Sequence, residues 1–471
     1  MLPTPINYRI YPSVVLAGCP TEMTVVPTER TFLFFEGQEY TLRIFGMNYD
    51  EPNYHETEAL DYVTVKATGG VLRFTYTFET EQQYRVQLMK DDTASCVMPL
   101  YALREDLYGL TPLRGDFHTH SFRSDGKRDP SALAGHFREQ NYDCFALTDH
   151  NRFYPGGEID EVYAGVNCGI TRVLGEEVHA PGSIVHIIHV GGKKSVAAQY
   201  INDREGYERG VAECMTRVPD SVPEKYRARY AMAMWVTDRI HEAGGFAIFP
   251  HPYWTPASRI YNVNDEFATI LLTSGMFDGY ELIGGMKQEE NNRSVALWND
   301  LRAEGLDLTV VGSSDVHGIT AADTFPHYFT ILFAEQNEND SIIDALRAHR
   351  SVAVEANGCE YDRQYRCYGS LRLVSYAQFL LKYFFSERQR IASGEGVAMR
   401  AYAMNQAPAA LIELQAELAA NFRDEFFGRR APTLPDADMI AFVDKWRTVQ
   451  IEQGPVTKGS VIDSDKITRN L

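Results

Sequence analysis

Hydrophobic and polar positions divide the chain into three textures. Over residues 1–112 they alternate: Leu72, Phe74, Tyr76 and Phe78 interleave with Arg73, Thr75 and Thr77, and Tyr84, Val86 and Leu88 repeat the spacing after a polar break. A period of two belongs to a strand with one buried face. The runs 31–35 and 40–45, joined by Glu36, Gly37 and Gln38, predict a further strand pair. Short strands separated by turns predict an N-terminal β-sandwich over 1–112.

From Leu113 apolar strand-like runs alternate with helical stretches. Asp129 and Pro130 form a helix start, an acidic N-cap followed by proline at the first helical position, and this helix is predicted to reach Gln140. Strands are predicted at 144–148, 172–178, 184–190, 246–249, 279–283 and 308–312, with helices at 224–243 and 288–304 among them. Such alternation predicts a parallel α/β architecture over 113–355, open or closed into a barrel. The segment 356–471 turns helical. Leu411, Leu414, Leu418 and Phe422 share one helical face, Gly428 suits a C-cap, and Met439, Phe442, Val443 and Trp446 mark a second helix. The tail from Gly454 is predicted to fray.

Composition narrows the function classes. Of 471 residues, 44% are hydrophobic and 23% charged, the proportions of a folded protein with a sizeable core. The net charge of −19 lies mostly in the middle region, a poor footing for long nucleic acid. No apolar run approaches the ~18 residues of a membrane span, and the opening segment lacks the pattern of a secretion signal. Seven singly dispersed cysteines fit reduced thiols. The expectation is a cytoplasmic protein acting on a small molecule, as a monomer or homo-oligomer.

The middle region carries the chemistry. His118 and His120, at i and i+2 in the run Gly115–His120, point the same way if the backbone is extended. Asp125 follows in Ser124-Asp125-Gly126. The strand 144–148 ends in Asp149-His150-Asn151, and the next reaches Gly175-Glu176-Glu177-Val178-His179. His186 lies in the run Val185–His189, His251 closes another strand, and Asp315 and His317 repeat the i, i+2 spacing at a last one. In parallel α/β folds the C-terminal strand edges share one face, and active sites gather there. So many imidazoles and carboxylates exceed the four ligands usual for a single zinc ion and suit two or three ions. Their types favour Zn, Mn or Fe and disfavour a thiolate site. Without cations such a cluster would repel itself and leave its polar atoms unsatisfied.

These ordered motifs resemble those of the PHP (polymerase and histidinol phosphatase) superfamily: HTHS with a following SDG, TDHN, GEEV, VHII, an HP after a strand, and SSDVHG. The resemblance covers 115–355, about half the chain. It implies a distorted (β/α)7 barrel, two or three divalent metal ions and phosphoester hydrolysis by a metal-activated hydroxide. Residue by residue it implies His118, His120, Asp125, His150, Glu177, His186, His251, Asp315 and His317 as ligands. Glu177 rather than Glu176 follows from the family's Gly, any residue, Glu, and on a strand only one of the two faces inward. His179 is expected beside the site rather than in it, His189 to be structural, and Asp149 to orient an imidazole. Arg123 and Arg152 are candidate phosphate-binding residues, and Asp315 a candidate proton donor to the leaving group. An N-terminal β domain before a PHP domain also resembles carbaryl-hydrolase-like metallohydrolases. That likeness implies carbamate or carboxylic ester hydrolysis, with Phe153, Tyr154 and Tyr253 as an apolar lining. A non-catalytic scaffold is the third expectation.

Overall fold

The computed structural model describes residues 7–48, 59–90, 93–154, 156–256, 260–319, 325–357 and 363–452. The tail from Gly454 lies outside them, as does Cys359. The other six cysteines are free thiols. The protein is mixed α/β and divides into two compact units, one of Asp106–Arg423 and one of the described residues in Leu2–Glu105 and Asp424–Leu471.

The second of these units contains two sheets. Tyr8–Tyr11, Pro20–Pro27 and Leu72–Thr77 form an antiparallel sheet of three. Val14–Leu16, Thr93–Leu103, Gln82–Lys90, Glu39–Gly46 and Asp61–Lys66, in that spatial order, form a sheet of five. Met23, Val25, Leu72 and Phe74 of the first share one core with Leu42, Ile44, Val86 and Met98 of the second. The expected strand at 31–35 is absent. Arg30–Phe32 makes a 3-10 turn, and the neighbours Leu33 and Phe34 are both buried, which a strand with one buried face does not allow. Glu39–Gly46 pairs instead with Asp61–Lys66 and Gln82–Lys90. The helix Ala437–Glu452 belongs here too: Arg447 Nη2 donates to the Leu33 carbonyl at 2.5 Å, and its guanidinium lies 4.0 Å from the centre of the Phe35 ring.

The expected separate helical region 356–471 is therefore divided between the two units. Leu371–Leu380 and Ser386–Ala403 stay with Asp106–Arg423, where the latter packs on Pro130–Glu139. The Pro130–Glu139 helix begins as predicted, with Asp129 accepting from the backbone of Ser131 and Ala132.

This larger unit is built on two sheets. One has the order Thr171–Val173, Cys144–Ala146, Thr111–Asp116, Tyr328–Ala334, Ser351–Asn357, Gln364–Tyr368. The other has the order Gly175–Val178, Ile187–Val190, Phe246–Phe249, Gly279–Ile283, Thr309–Gly312. Single parallel bridges, Thr119 with Val316 and His150 with Glu177, link the two. Two expectations fail here. The strand predicted at 172–178 splits at Leu174, its halves entering different sheets. The pairing is also not purely parallel, because Gly175–Val178, Ile187–Val190 and Phe246–Phe249 alternate in direction. Only the short loop 179–186 separates the first two, and a parallel return needs a crossover of about a dozen residues or more.

Candidate metal centre

The site forms where these strands end. Thr111–Asp116 leads into His118 and His120, Cys144–Ala146 into His150, Phe246–Phe249 into His251, and Thr309–Gly312 into Asp315 and His317. His186 arrives differently. It precedes Ile187–Val190, and because that strand runs antiparallel its start lies at the edge where Gly175–Val178 ends. The same register separates the two glutamates. Glu176 faces His189 across the ladder, and Glu177 faces Ile188. Glu176 accepts from His189 Nδ1 at 3.1 Å, Ser195 Oγ at 2.8 Å and the Val196 amide at 2.5 Å, a buried structural knot. Glu177 stands on the opposite face, inside the cluster.

The donors sort around three carboxylates. Glu177 Oε2 lies 3.3 Å from His118 Nε2, 3.4 Å from His120 Nε2 and 2.7 Å from His150 Nδ1. Glu177 Oε1 lies 2.9 Å from His186 Nδ1, 3.4 Å from His251 Nε2 and 3.2 Å from His179 Nε2. Asp315 Oδ1 is 3.1 Å from His118 Nε2 and 3.0 Å from His120 Nε2. Asp125 reaches His150 Nε2 at 3.3 Å and His317 Nε2 at 3.2 Å. All nine expected ligands thus converge. They range from His118, fully buried, to Asp125, with 54% of its side chain exposed.

Burial alone would make these charges costly, and the cluster answers with mutual polarisation. Burial pushes His118 down, but Asp315, Glu281 and Glu177 together raise it well above the ordinary histidine value. Burial pushes Glu177 up, and His118 with the surrounding imidazoles reverses this to well below the carboxylate range. Asp315 is likewise held low by His118 and His120 against its burial. His186 goes to about 4 through burial.

The donor set fits metal ions. His118 Nε2, both ring nitrogens of His120, both oxygens of Glu177, His179 Nε2, His186 Nδ1 and Asp315 Oδ1 are buried without a hydrogen-bond partner among the described residues. Native proteins seldom leave so many buried polar atoms unsatisfied. Tetrahedral zinc with ~2.0 Å bonds holds its ligand atoms about 3.3 Å apart, and most separations above fall close to that. Two of the non-ligating nitrogens are also committed. His118 Nδ1 meets Glu281 Oε2 at 2.9 Å, and His317 Nδ1 meets the Asp315 carbonyl at 2.9 Å. Each acceptor takes the ring proton and leaves the Nε2 lone pair toward the cluster.

Some residues stand elsewhere than expected. Asp149 accepts from the Ser121 amide and from the Ser121 and Ser124 hydroxyls, shaping the loop before Asp125 rather than orienting an imidazole. Arg123 Nε is paired with Glu158 at 2.7 Å, and Arg152 Nη1 donates to the Tyr154 hydroxyl at 2.8 Å. Phe153 stacks against His189, and Tyr253 is buried. Sequence reasoning missed Glu281, whose strand position gave no hint of a partner 163 residues away. It also missed Trp254, a partly exposed ring 5.8 Å from His186 and 6.1 Å from His251.

No family model and no curated protein matches the chain. Among solved structures it is similar to a two-domain protein from Bacteroides vulgatus containing a predicted PHP-like metal-dependent phosphoesterase. That match has 21% identity and a TM-score of 0.34, over 52% of this chain and 66% of that one. It is also similar to an amidohydrolase from Chromobacterium violaceum with bound sulfate and no metal, at 19% identity and a TM-score of 0.31, over 45% of this chain and 89% of that one.

Proposed function

We propose that the chain is a metal-dependent hydrolase that cleaves a phosphoester of a small molecule, with two or three Zn, Mn or Fe ions in the cluster around Glu177. The observation that carries this reading is the convergence of nine imidazole and carboxylate side chains, with buried, unpartnered ring nitrogens or carboxylate oxygens on His118, His120, His150, Glu177, His186 and Asp315 among the described residues. When bound, such ions polarise the scissile group and lower the pKa of a water molecule. The chain's own residues do the rest. Glu177 presents one oxygen to each of two groups of imidazoles, and Glu281 fixes the tautomer of His118. Asp315 and Asp125 hold negative charge against the cations. The two bridges between the sheets support a distorted (β/α)7 barrel, joining seven strands into a ring around the centre.

A second reading, hydrolysis of a carbamate or carboxylic ester, is favoured by two observations. Arg123 is paired with Glu158, and Trp254, an aromatic ring, lies at the His186 side of the cluster. Elemental analysis paired with hydrolysis of an aryl phosphate and an aryl ester separates the two. Two or three ions per chain, with phosphate release abolished in His118→Ala and Asp315→Ala, is the expected result. Ester cleavage alone would replace the first reading with the second, and a chain that binds no Zn, Mn or Fe would end both.

A further inference from the structure

The spacing that makes pairs of His118 with His120 and of Asp315 with His317 occurs a third time in this site, between Glu177 and His179. On extended backbone i and i+2 point to one face. His179 accordingly projects where Glu177 does, and its Nε2 lies 3.2 Å from Glu177 Oε1, buried and without a hydrogen-bond partner among the described residues. Its ring stands between those of His150, 4.3 Å away, and His186, 3.7 Å away. Donor atoms of His150, Glu177 and His179 all lie within 4.8 Å of one another.

The backbone of His179 is held by dedicated contacts. Its amide donates to Asn151 Oδ1 at 2.7 Å. The Tyr200 hydroxyl donates to the same oxygen and approaches the His179 carbonyl at 3.3 Å. Asn151 itself sits at φ +55°, in the left-handed region, directly after His150. An asparagine in that conformation, tied to a buried tyrosine, fixes the backbone that carries the imidazole.

We propose that His179 is a tenth metal-binding side chain, its Nε2 directed with His150 and Glu177 at one ion. The inference rests on the metal-hydrolase reading and adds a consequence to it. With His179, that ion has two imidazoles and a carboxylate, the three protein ligands of a zinc site that keeps its fourth place open.

Two variants test this on the full chain. His179→Ala, dialysed against graded chelator beside the wild type, is expected to release one zinc per chain at a chelator concentration lower by at least about tenfold, by analogy with the loss of supporting groups around zinc. His179→Cys, loaded with cobalt(II), is expected to gain a near-ultraviolet sulfur-to-cobalt charge-transfer absorption absent from the wild type. Should His179→Ala fail to fold, the cysteine variant carries the test alone. Wild-type zinc retention in His179→Ala would overturn the proposal, as would full cobalt loading of His179→Cys without the new absorption. In either case the hydrolase reading would stand. A wild-type chain that binds neither zinc nor cobalt would overturn both.

Discussion

His118 is fully buried and has one ring nitrogen on the metal cluster and the other on Glu281, so its usefulness as a ligand depends on a residue from another strand. Glu281→Gln keeps the size of the side chain and removes its charge. We expect zinc affinity to fall about 10–100-fold, read by competition with a chromophoric chelator, while the fold persists. Unchanged affinity would mean that the contact does not tune the metal. At this scale the sequence was legible wherever ligands follow local rules, as with His118 and His120 or Asp315 and His317. It was not legible for Glu281, whose role depends on strand register. His251 has a further trait that no sequence pattern announces, a φ of +26°. Backbone held there costs about 1–3 kcal/mol and persists where the surroundings enforce it, often at functional sites.

Among the elements, the helices Pro130–Glu139 and Ser386–Ala403 meet in unusually close contact. A Cβ on Gly396 would strike the backbone of Glu139 and of Gly135. Next to it the buried Arg138 Nε is paired with Glu395 at 2.7 Å, and buried Arg388 reaches Asp143 at 2.7 Å and Asn141 Oδ1 at 2.7 Å. Gly396→Ala is expected to part the helices and destabilise the unit by about 1–3 kcal/mol, as overpacking does. Glu395→Ala, which leaves the buried Arg138 guanidinium only the Tyr142 carbonyl and the more distant Asp143, should cost about 3 kcal/mol. Urea unfolding monitored by circular dichroism measures both. The start of the first helix was readable from Asp129 and Pro130. The docking of the second was not, because a glycine in mid-helix signals close approach only when its neighbour is known. Strand directions were equally hidden: the apolar run 184–190 looks the same whichever way its partner runs.

For the molecule as a whole, the net charge of −19 and the two-unit division make separate statements. Cations that bind the cluster stabilise only the unit that contains it. Metal at a hundred times its dissociation constant adds about 2.7 kcal/mol. Calorimetry with and without chelator should therefore shift one unfolding transition and leave the other in place, and a joint shift would contradict that separation. No helix among the described residues is long and apolar enough to cross a membrane. The division itself was not legible, because composition and periodicity say nothing of a late helix returning to early strands. That return has a consequence for the order of events on the ribosome. Arg447 and Phe426 make hydrogen bonds to Leu33 and Ser13, residues synthesised hundreds of positions earlier. At about 5–20 residues per second, the early strands wait on the order of tens of seconds for these partners. The metal-binding unit finishes emerging before these partners do, so the earlier-made strands are completed after it.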